Sequence, residues 1–425
     1  MERYLKPIAD GGSDGASGAT LANAWGTLPY ALGAMAQDDT LFVSGTHITS
    51  NSSFDNIKSG SGGGTYTHIR AYEPGVSKFL GGTLNHRVVI YPDNKSWIAL
   101  HGFALDGNSR LSSYGITGST THSSSAFQGQ NLLFEDIEIM NTLNSGVKLH
   151  ASNCILRRFN IHHGGVVGSN QHHCLYIGAD DSNNLFEDIE GHQWDGFGLN
   201  HHSSGAGQAA LGNEFKRIHI HHVTSPGLWL SHDVKVENVI SHDNGSAGII
   251  MNPTSGLTVR VVFASVFNNG IDGNAAGIIT RNAGTCELRN YISLGNEDGN
   301  YSDQVGGPRL ISNGVVAGDH SMYWRNAPNG DFHLNDNATV QINIVGKGED
   351  ISGVTTDFDQ STRTTPPDIG AFQLVGDGGG SDPVNVIPPD LIIPMGLSQD
   401  FLNFDVFNDG DLVEVDIYAD SGRFV

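Results

Sequence analysis

Histidine is the residue type that first suggests chemistry in this chain. Of its 20 histidines, His162, His192, His221 and His242 each close a short run in which apolar and polar residues alternate. His163, His222 and the pair His201-His202 stand close by. Imidazoles in a row suit a metal site, or a glycan-binding edge with a residue that moves protons. The plain alternative is a surface ladder, in which like side chains line up because a structural unit repeats. Metal ligands must converge on a point, whereas a ladder spreads them along a line. Adjacent histidines on a strand are also expected to point to opposite faces, which argues against a shared metal.

A second set is Lys148, Tyr176, Gly198 and Trp229, which the spacing predicts at equivalent positions of successive repeats. Two amphipathic rings flanking a glycine leave a flat-floored dip, and such rings stack on the apolar faces of sugars. The alternative is ordinary exposed aromatics that cover a neighbouring loop. Lys148 beside Tyr176 suits β-elimination, in which a base removes the proton next to a uronate carboxylate while a cation neutralises that carboxylate. His172, His173 and His201 are further bases at the same edge. Arg281, Trp194 and His202 join Trp229, His162, His172, His192 and His221 as substrate-binding candidates, with Arg157, Arg158 and Arg217 the nearest other cations.

Hydrolysis would instead need two carboxylates. Glu138 and Glu190 fall in one column two repeats apart, roughly 10 Å, at the upper edge of the inverting separation. Asp180, Asp181 and Asp195 offer closer pairs, and Asp195 follows Trp194 in a Gly-rich turn that reads as exposed. Acids in Asn/Gly turns equally serve as turn-formers. Asp180 and Asp181 are also a candidate Ca²⁺ pair, without an ordered calcium-loop spacing around them.

These residues need a repeating frame. The run Phe134-Glu-Asp-Ile-Glu-Ile-Met, followed by Asn144–His150, returns at Phe159–His162 with Leu175–Ile177 and at Ile189–His192 with Phe197–Leu199. It returns again at Ile218–His221 with Leu228–Leu230, at Val239–His242 with Ile249–Met251, and at Val262–Ser265 with Ile278–Thr280. From Ile137 through Phe159, Ile189, Ile218 and Val239 to Val262 the steps are 22, 30, 29, 21 and 23 residues. Short strands returning every 20–30 residues between Gly/Asn turns are the mark of a parallel β-helix, whose coils stack about 4.8 Å apart. The phase predicts outward columns Met140, His162, His192, His221, His242, Ser265 and Glu138, Asn160, Glu190, His219, Ile240. A third runs Lys148, Tyr176, Gly198, Trp229, Ile250, Ile279, and a fourth ends in Arg281.

The 56 glycines and the 16% of charged residues in the 425-residue chain suit tight turns between short strands. Lys+Arg 22 against Asp+Glu 45 gives a net charge of −23, which argues against a nucleic-acid partner. Cys154, Cys174 and Cys286 lie within strand patterns and read as buried free thiols. No apolar run reaches transmembrane length, and the start shows no Sec-type signal.

The N-terminal order is a Gly-rich loop from Asp10, Trp25-Gly-Thr-Leu-Pro-Tyr-Ala, then Asp39-Thr-Leu-Phe-Val-Ser-Gly. It resembles the N-terminal cap of the pectate-lyase-like superfamily of right-handed parallel β-helix proteins. The close, Asp331-Phe-His-Leu and then Asp368-Ile-Gly-Ala-Phe, is similar to the terminal coil of many bacterial members. It departs from them at Ala338-Thr-Val-Gln, where a Ser-Pro-Ala segment is usual. The resemblance spans nearly all of residues 3–373 and implies an all-β, right-handed, single-stranded parallel β-helix. The expected organisation is an N-terminal cap with a helix near Leu28–Met35 and a first coil (1–50), the solenoid (51–373), a Gly/Pro linker (374–389) and a short β-rich tail (390–425). A further strand is expected at Val340–Val345. The superfamily hosts lyases, hydrolases, epimerases and phage tailspikes, so the resemblance implies an extracellular or virion-associated protein whose partner is a polysaccharide. β-Elimination of a uronate glycan is placed ahead of hydrolysis. The alternative is a homotrimeric tail spike that recognises a host surface glycan, with or without depolymerase activity.

Overall fold

The computed structural model describes residues 1–50, 53–82, 87–90, 95–110, 114–117, 129–149, 151–166, 172–178, 181–201, 211–272 and 275–374. Apart from Leu374, the expected linker and tail lie outside them. Two long parallel sheets run through the described residues, each strand pairing with its counterpart one coil away. Ile137, Phe159, Ile189, Ile218 and Val239 follow one another in register and are all at most 3% exposed. The fold is the expected right-handed parallel β-helix.

What gives each coil its corners is a recurring left-handed residue. Asp136, Arg158, Asp188, Arg217, Asn238, Phe263 and Asn290 hold φ between 54° and 60°, each inside a long strand of the first sheet. One such residue between two extended segments bends the strand and resets which side chains face inward. A second column, Asn141, His163, Gln193, His222, Asp243 and Asn268, does the same after each strand's last outward residue, with φ of 48–54°. Three faces result: an ion-pair face (Leu133–Glu135 and counterparts), a histidine face (Ile137–Met140) and an aromatic face (Ser145–Leu149).

The ion-pair face neutralises its own charges. Glu135, Arg157, Glu187, Lys216 and Glu237 stand in one column with alternating sign. Arg157 pairs with Glu135, Arg158 with Asp136 at 2.5 Å, and Arg217 with Asp188 at 2.5 Å and Glu187 at 2.7 Å. The cations noted in the sequence are therefore engaged, and this face offers no open charge at these positions.

Phase slips by two residues at the upper coils. Val239 pairs with Ala264 rather than Val262, and His242 with Phe267 rather than Ser265, because the left-handed corner there is Phe263. The helix near the N-terminus runs Leu28–Ala34 and buries Leu28, Ala31 and Leu32. The strand expected at Val340–Val345 is instead a helix, Ala338–Asn343. Asn337 caps it by accepting from the Val340 amide, and Val340 and Ile344, one turn apart, are both buried. Cys154, Cys174 and Cys286 are buried and free, as expected. No helix among the described residues is long and apolar enough to cross a membrane.

The segment after the last coil folds back over the upper histidine face. Trp324, Phe332, Leu334, Ile369 and Phe372 join Ile240, Phe267, Ile292 and Leu294 in one apolar cluster. At its edge, against Phe372, His333 lies 2.6 Å from both Asp331 and Asp359. Burial disfavours its charge, but the two carboxylates outweigh that and push it up to about 9. A histidine raised from an ordinary value of about 6.5 stabilises the fold fully below that pH and stops doing so as pH rises through about 9. The gap in Tm between the wild type and His333→Gln is expected to shrink steadily from pH 6.5 to pH 9.5 in calorimetric scans.

Candidate functional site

On the aromatic face the outward column is Lys148, Tyr176, Asn200, Trp229, Ile250 and Ile279. Asn200 takes the place expected of Gly198, because the strand runs Phe197–His201 and Phe197 pairs with His173. The side chains form a continuous band across the coils. Lys148 Nζ lies 5.4 Å from the Tyr176 ring centroid, and His173 stacks on Tyr176 at 5.1 Å. Phe197 tilts against His173 at 5.3 Å and meets Trp229 edge-on at 5.9 Å. The Arg281 guanidinium covers Trp229 at 4.4 Å.

Among the described residues, His172 Nδ1, Asn200 Oδ1 and Arg281 Nε near this band are buried with no hydrogen-bond partner. Each such atom costs roughly 1–3 kcal/mol unless something binds it. Asn200 is only 8% exposed, so bulk water does not serve its Oδ1. Burial also sets the protonation states. It raises the Tyr176 phenol, helped by Asp181, and it lowers His172 and Arg281. At neutral pH the face holds a protonated phenol and a neutral His172.

Several sequence expectations fail here, the first of them because of the left-handed corner. Trp194 follows Gln193 at a corner, so it turns inward to 1% exposure, packed against Gly164 and Gly146, and it cannot bind substrate. Trp194→Ala is expected to cost about 3–5 kcal/mol in urea denaturation. His201 pairs with Ile177 and Leu230 in an inward column. It is fully buried, 2.9 Å from Asn213 Nδ2, and is no base for an external substrate. Asp195 ends its strand half-buried at the bend between the two faces, not exposed in an open turn. Asp181 is 1% exposed and accepts from the Gly178 amide at 2.7 Å, as a turn-former does. Asp180 and His202 lie outside the described residues. Phe197 and Asn200 were missed as site residues: alternation gives Gly198 and Asn200 the same side, and only the register, Tyr176 with Asn200, separates them.

The histidine face carries its ladder as expected. The rings of His162, His192, His221 and His242 stack at 5.2, 5.0 and 4.8 Å. His163 and His222, expected to point away, turn back at the corner: His162 and His163 meet Nδ1 to Nδ1 at 2.6 Å, His221 and His222 at 2.7 Å. Glu138 and Glu190 do share a column, but each is bound to a histidine, Glu138 to His162 at 3.1 Å and Glu190 to His221 at 3.2 Å. The hydrogen bond from His221, with the histidines around it, outweighs burial and holds Glu190 at about 2.

Fold and face together define a class: a right-handed parallel β-helix with a cation- and aromatic-lined band across successive coils. The sequence matches no known family and no curated protein. Among solved structures the chain is similar to the pectate lyase Pel9A, at 13% identity over 88% of this chain and 96% of that one, with a TM-score of 0.50. It is also similar to the A-module of mannuronan C-5 epimerase AlgE6 from Azotobacter vinelandii, at 14% identity over 69% and 94% with a TM-score of 0.49. A third similar structure is ORF18 of Geobacillus virus E2, at 12% identity over 73% and 60% with a TM-score of 0.49. At such identities the likeness is one of fold.

Proposed function

We propose that this protein binds an extended acidic polysaccharide along the aromatic face and cleaves it by β-elimination. The observation that carries the reading is the registered band Lys148–Tyr176–Asn200–Trp229 with His173 and Arg281 against it. A straight solenoid presents such groups about one strand spacing apart, so several sugar units can lie across them. The fold shared with Pel9A, a pectate lyase by its printed name, supports the same substrate class. A polymeric substrate of this kind places the protein outside the cell or on a virion.

In this reading Lys148 pairs with the uronate carboxylate and makes the neighbouring C–H more acidic. His173, only 5% exposed but stacked on Tyr176 beside the outward column, takes that proton from a sugar seated against the two rings. Electrons left on carbon form the C4–C5 double bond as the glycosidic C4–O bond breaks, and the Tyr176 phenol gives its proton to the departing oxygen. Trp229 and Arg281 hold the sugars further along. Adding polyuronates of different composition and following ultraviolet absorbance of the unsaturated product tests the chemistry: a steady rise with one of them is expected, and none with any would overturn elimination. Trp229→Ala is expected to weaken oligouronide binding roughly 5- to 30-fold, about 1–2 kcal/mol, in calorimetric titration.

A further inference from the structure

The histidine ladder alone cannot hold a metal, since its rings repeat along a line. At one point a third imidazole leaves that line. His219 occupies the column of Glu190 and Ile240, two residues before His221 on the same strand, and so shares its outward side. Its Nε2 lies 2.9 Å from His242 Nε2, and its ring centroid is 4.6 Å from that of His221. One ligand nitrogen from each of His219, His221 and His242 falls within 4.8 Å of the other two.

We propose that His219, His221 and His242 form a binding site for a borderline transition-metal ion such as Zn²⁺, separate from the aromatic face. Two nitrogens on one tetrahedral zinc stand roughly 3.3 Å apart at Zn–N distances of about 2.0–2.1 Å, so a small side-chain rotation converts the present pair into ligands. The surrounding groups are those that orient metal-binding imidazoles. His242 Nδ1 lies 2.6 Å from Asp243 Oδ2, and Asn268 in turn donates to that carboxylate. A carboxylate on Nδ1 fixes the proton there and leaves Nε2 with its lone pair facing His219. Glu190 takes the equivalent role for His219, 3.7 Å from its Nδ1. Its 3.2 Å contact to His221 is at Nε2, and His221 Nδ1 faces His222 at 2.7 Å, so one of these two contacts gives way when His221 binds the ion.

Access and enclosure also fit. The side chains of His219 and His221 are 21% and 16% exposed, while His242 is buried beneath Phe332, whose ring centroid is 4.8 Å away. Phe358 stands edge-on to His219 at 6.3 Å. The site lies at the seam where the C-terminal segment meets the coils. His162 and His192, lower on the ladder, have no second histidine in the neighbouring column: that column holds Glu138, Asn160 and Glu190 there.

The test uses untagged full-length protein, stripped with chelator and titrated with Co²⁺ and then Zn²⁺. Expected are one Co²⁺ per chain with visible ligand-field bands, their displacement by Zn²⁺, and a higher Tm with Zn²⁺. His219→Asn and His242→Gln should each weaken binding at least tenfold, whereas His192→Asn should leave it within about twofold. Circular dichroism and Tm of the metal-free variants show whether each still folds. Because His219 is the more exposed of the pair, its variant carries the test if His242→Gln does not fold. Absent stoichiometric binding, or equal loss in His192→Asn, the proposal is overturned. Neither result bears on elimination at the aromatic face, whose assay has its own readout.

Discussion

Lys148→Ala is expected to lower kcat/KM on the cleaved polyuronate by about 10²–10³, the usual size for removing one charge that meets developing negative charge. Lys148 supplies that cation in the row below Tyr176, with Nζ 5.4 Å from the ring. Lys148→Arg should recover part of the loss, because the charge returns on a different geometry. Tyr176→Phe keeps the stacked ring and removes only the phenol. It should lower kcat by about 10²–10⁴ while KM changes little, as expected for a group that moves a proton in the transition state. Steady-state kinetics on the purified variants decide the matter. A Lys148→Ala enzyme within twofold of the wild type would remove Lys148 from the chemistry.

The second large effect lies away from that face. Arg363 is 7% exposed, and its guanidinium donates to Asn238 Oδ1 at 2.8 Å and to the Gly370 and Ala371 carbonyls at 3.1 and 2.9 Å. It also lies 3.7 Å over the Phe263 ring, the left-handed corner residue of its coil. Burial pulls it down to about 10, against the support of Asp357 and Asp368, so it remains charged at neutral pH. Removing it leaves five acceptors, these three and the Thr356 and Asp368 carbonyls, without their donor, and the Asp357 and Asp368 carboxylates without a neighbouring cation. Arg363→Met is expected to destabilise the protein by about 3–5 kcal/mol in denaturant unfolding. A loss under about 1 kcal/mol would show that the C-terminal segment is held by the apolar cluster around Phe332 and Phe372 instead.

The repeat and its phase were legible because apolar residues on successive coils must enter one interior, and Ile137, Phe159, Ile189, Ile218 and Val239 do so. From that phase the placement of Lys148, Tyr176, Trp229 and the four-histidine ladder followed. Corners were not legible. A left-handed residue inside a strand leaves no reliable mark when it is Arg158, His163, Gln193, Arg217 or Phe263 rather than Asn, Asp or Gly. Each one resets the alternation, which is why Trp194 goes inward and why His163 rejoins His162. The convergence of His219 on His242 was equally hidden, since it is a diagonal contact between coils and not a pairing in one column. At Val340–Val345, β-branched residues suggested a strand, but the Asn337 cap and the buried Val340 and Ile344 one turn apart favour a helix.

The central claim is that the glycan lies on the aromatic face, and a crystal soaked with an oligosaccharide of the polymer that binds tests it most directly. Sugar density is expected to run across the coils over Tyr176 and Trp229, with a carboxylate at Lys148. Density along His162, His192 and His221 instead, with the aromatic face bare, would contradict it.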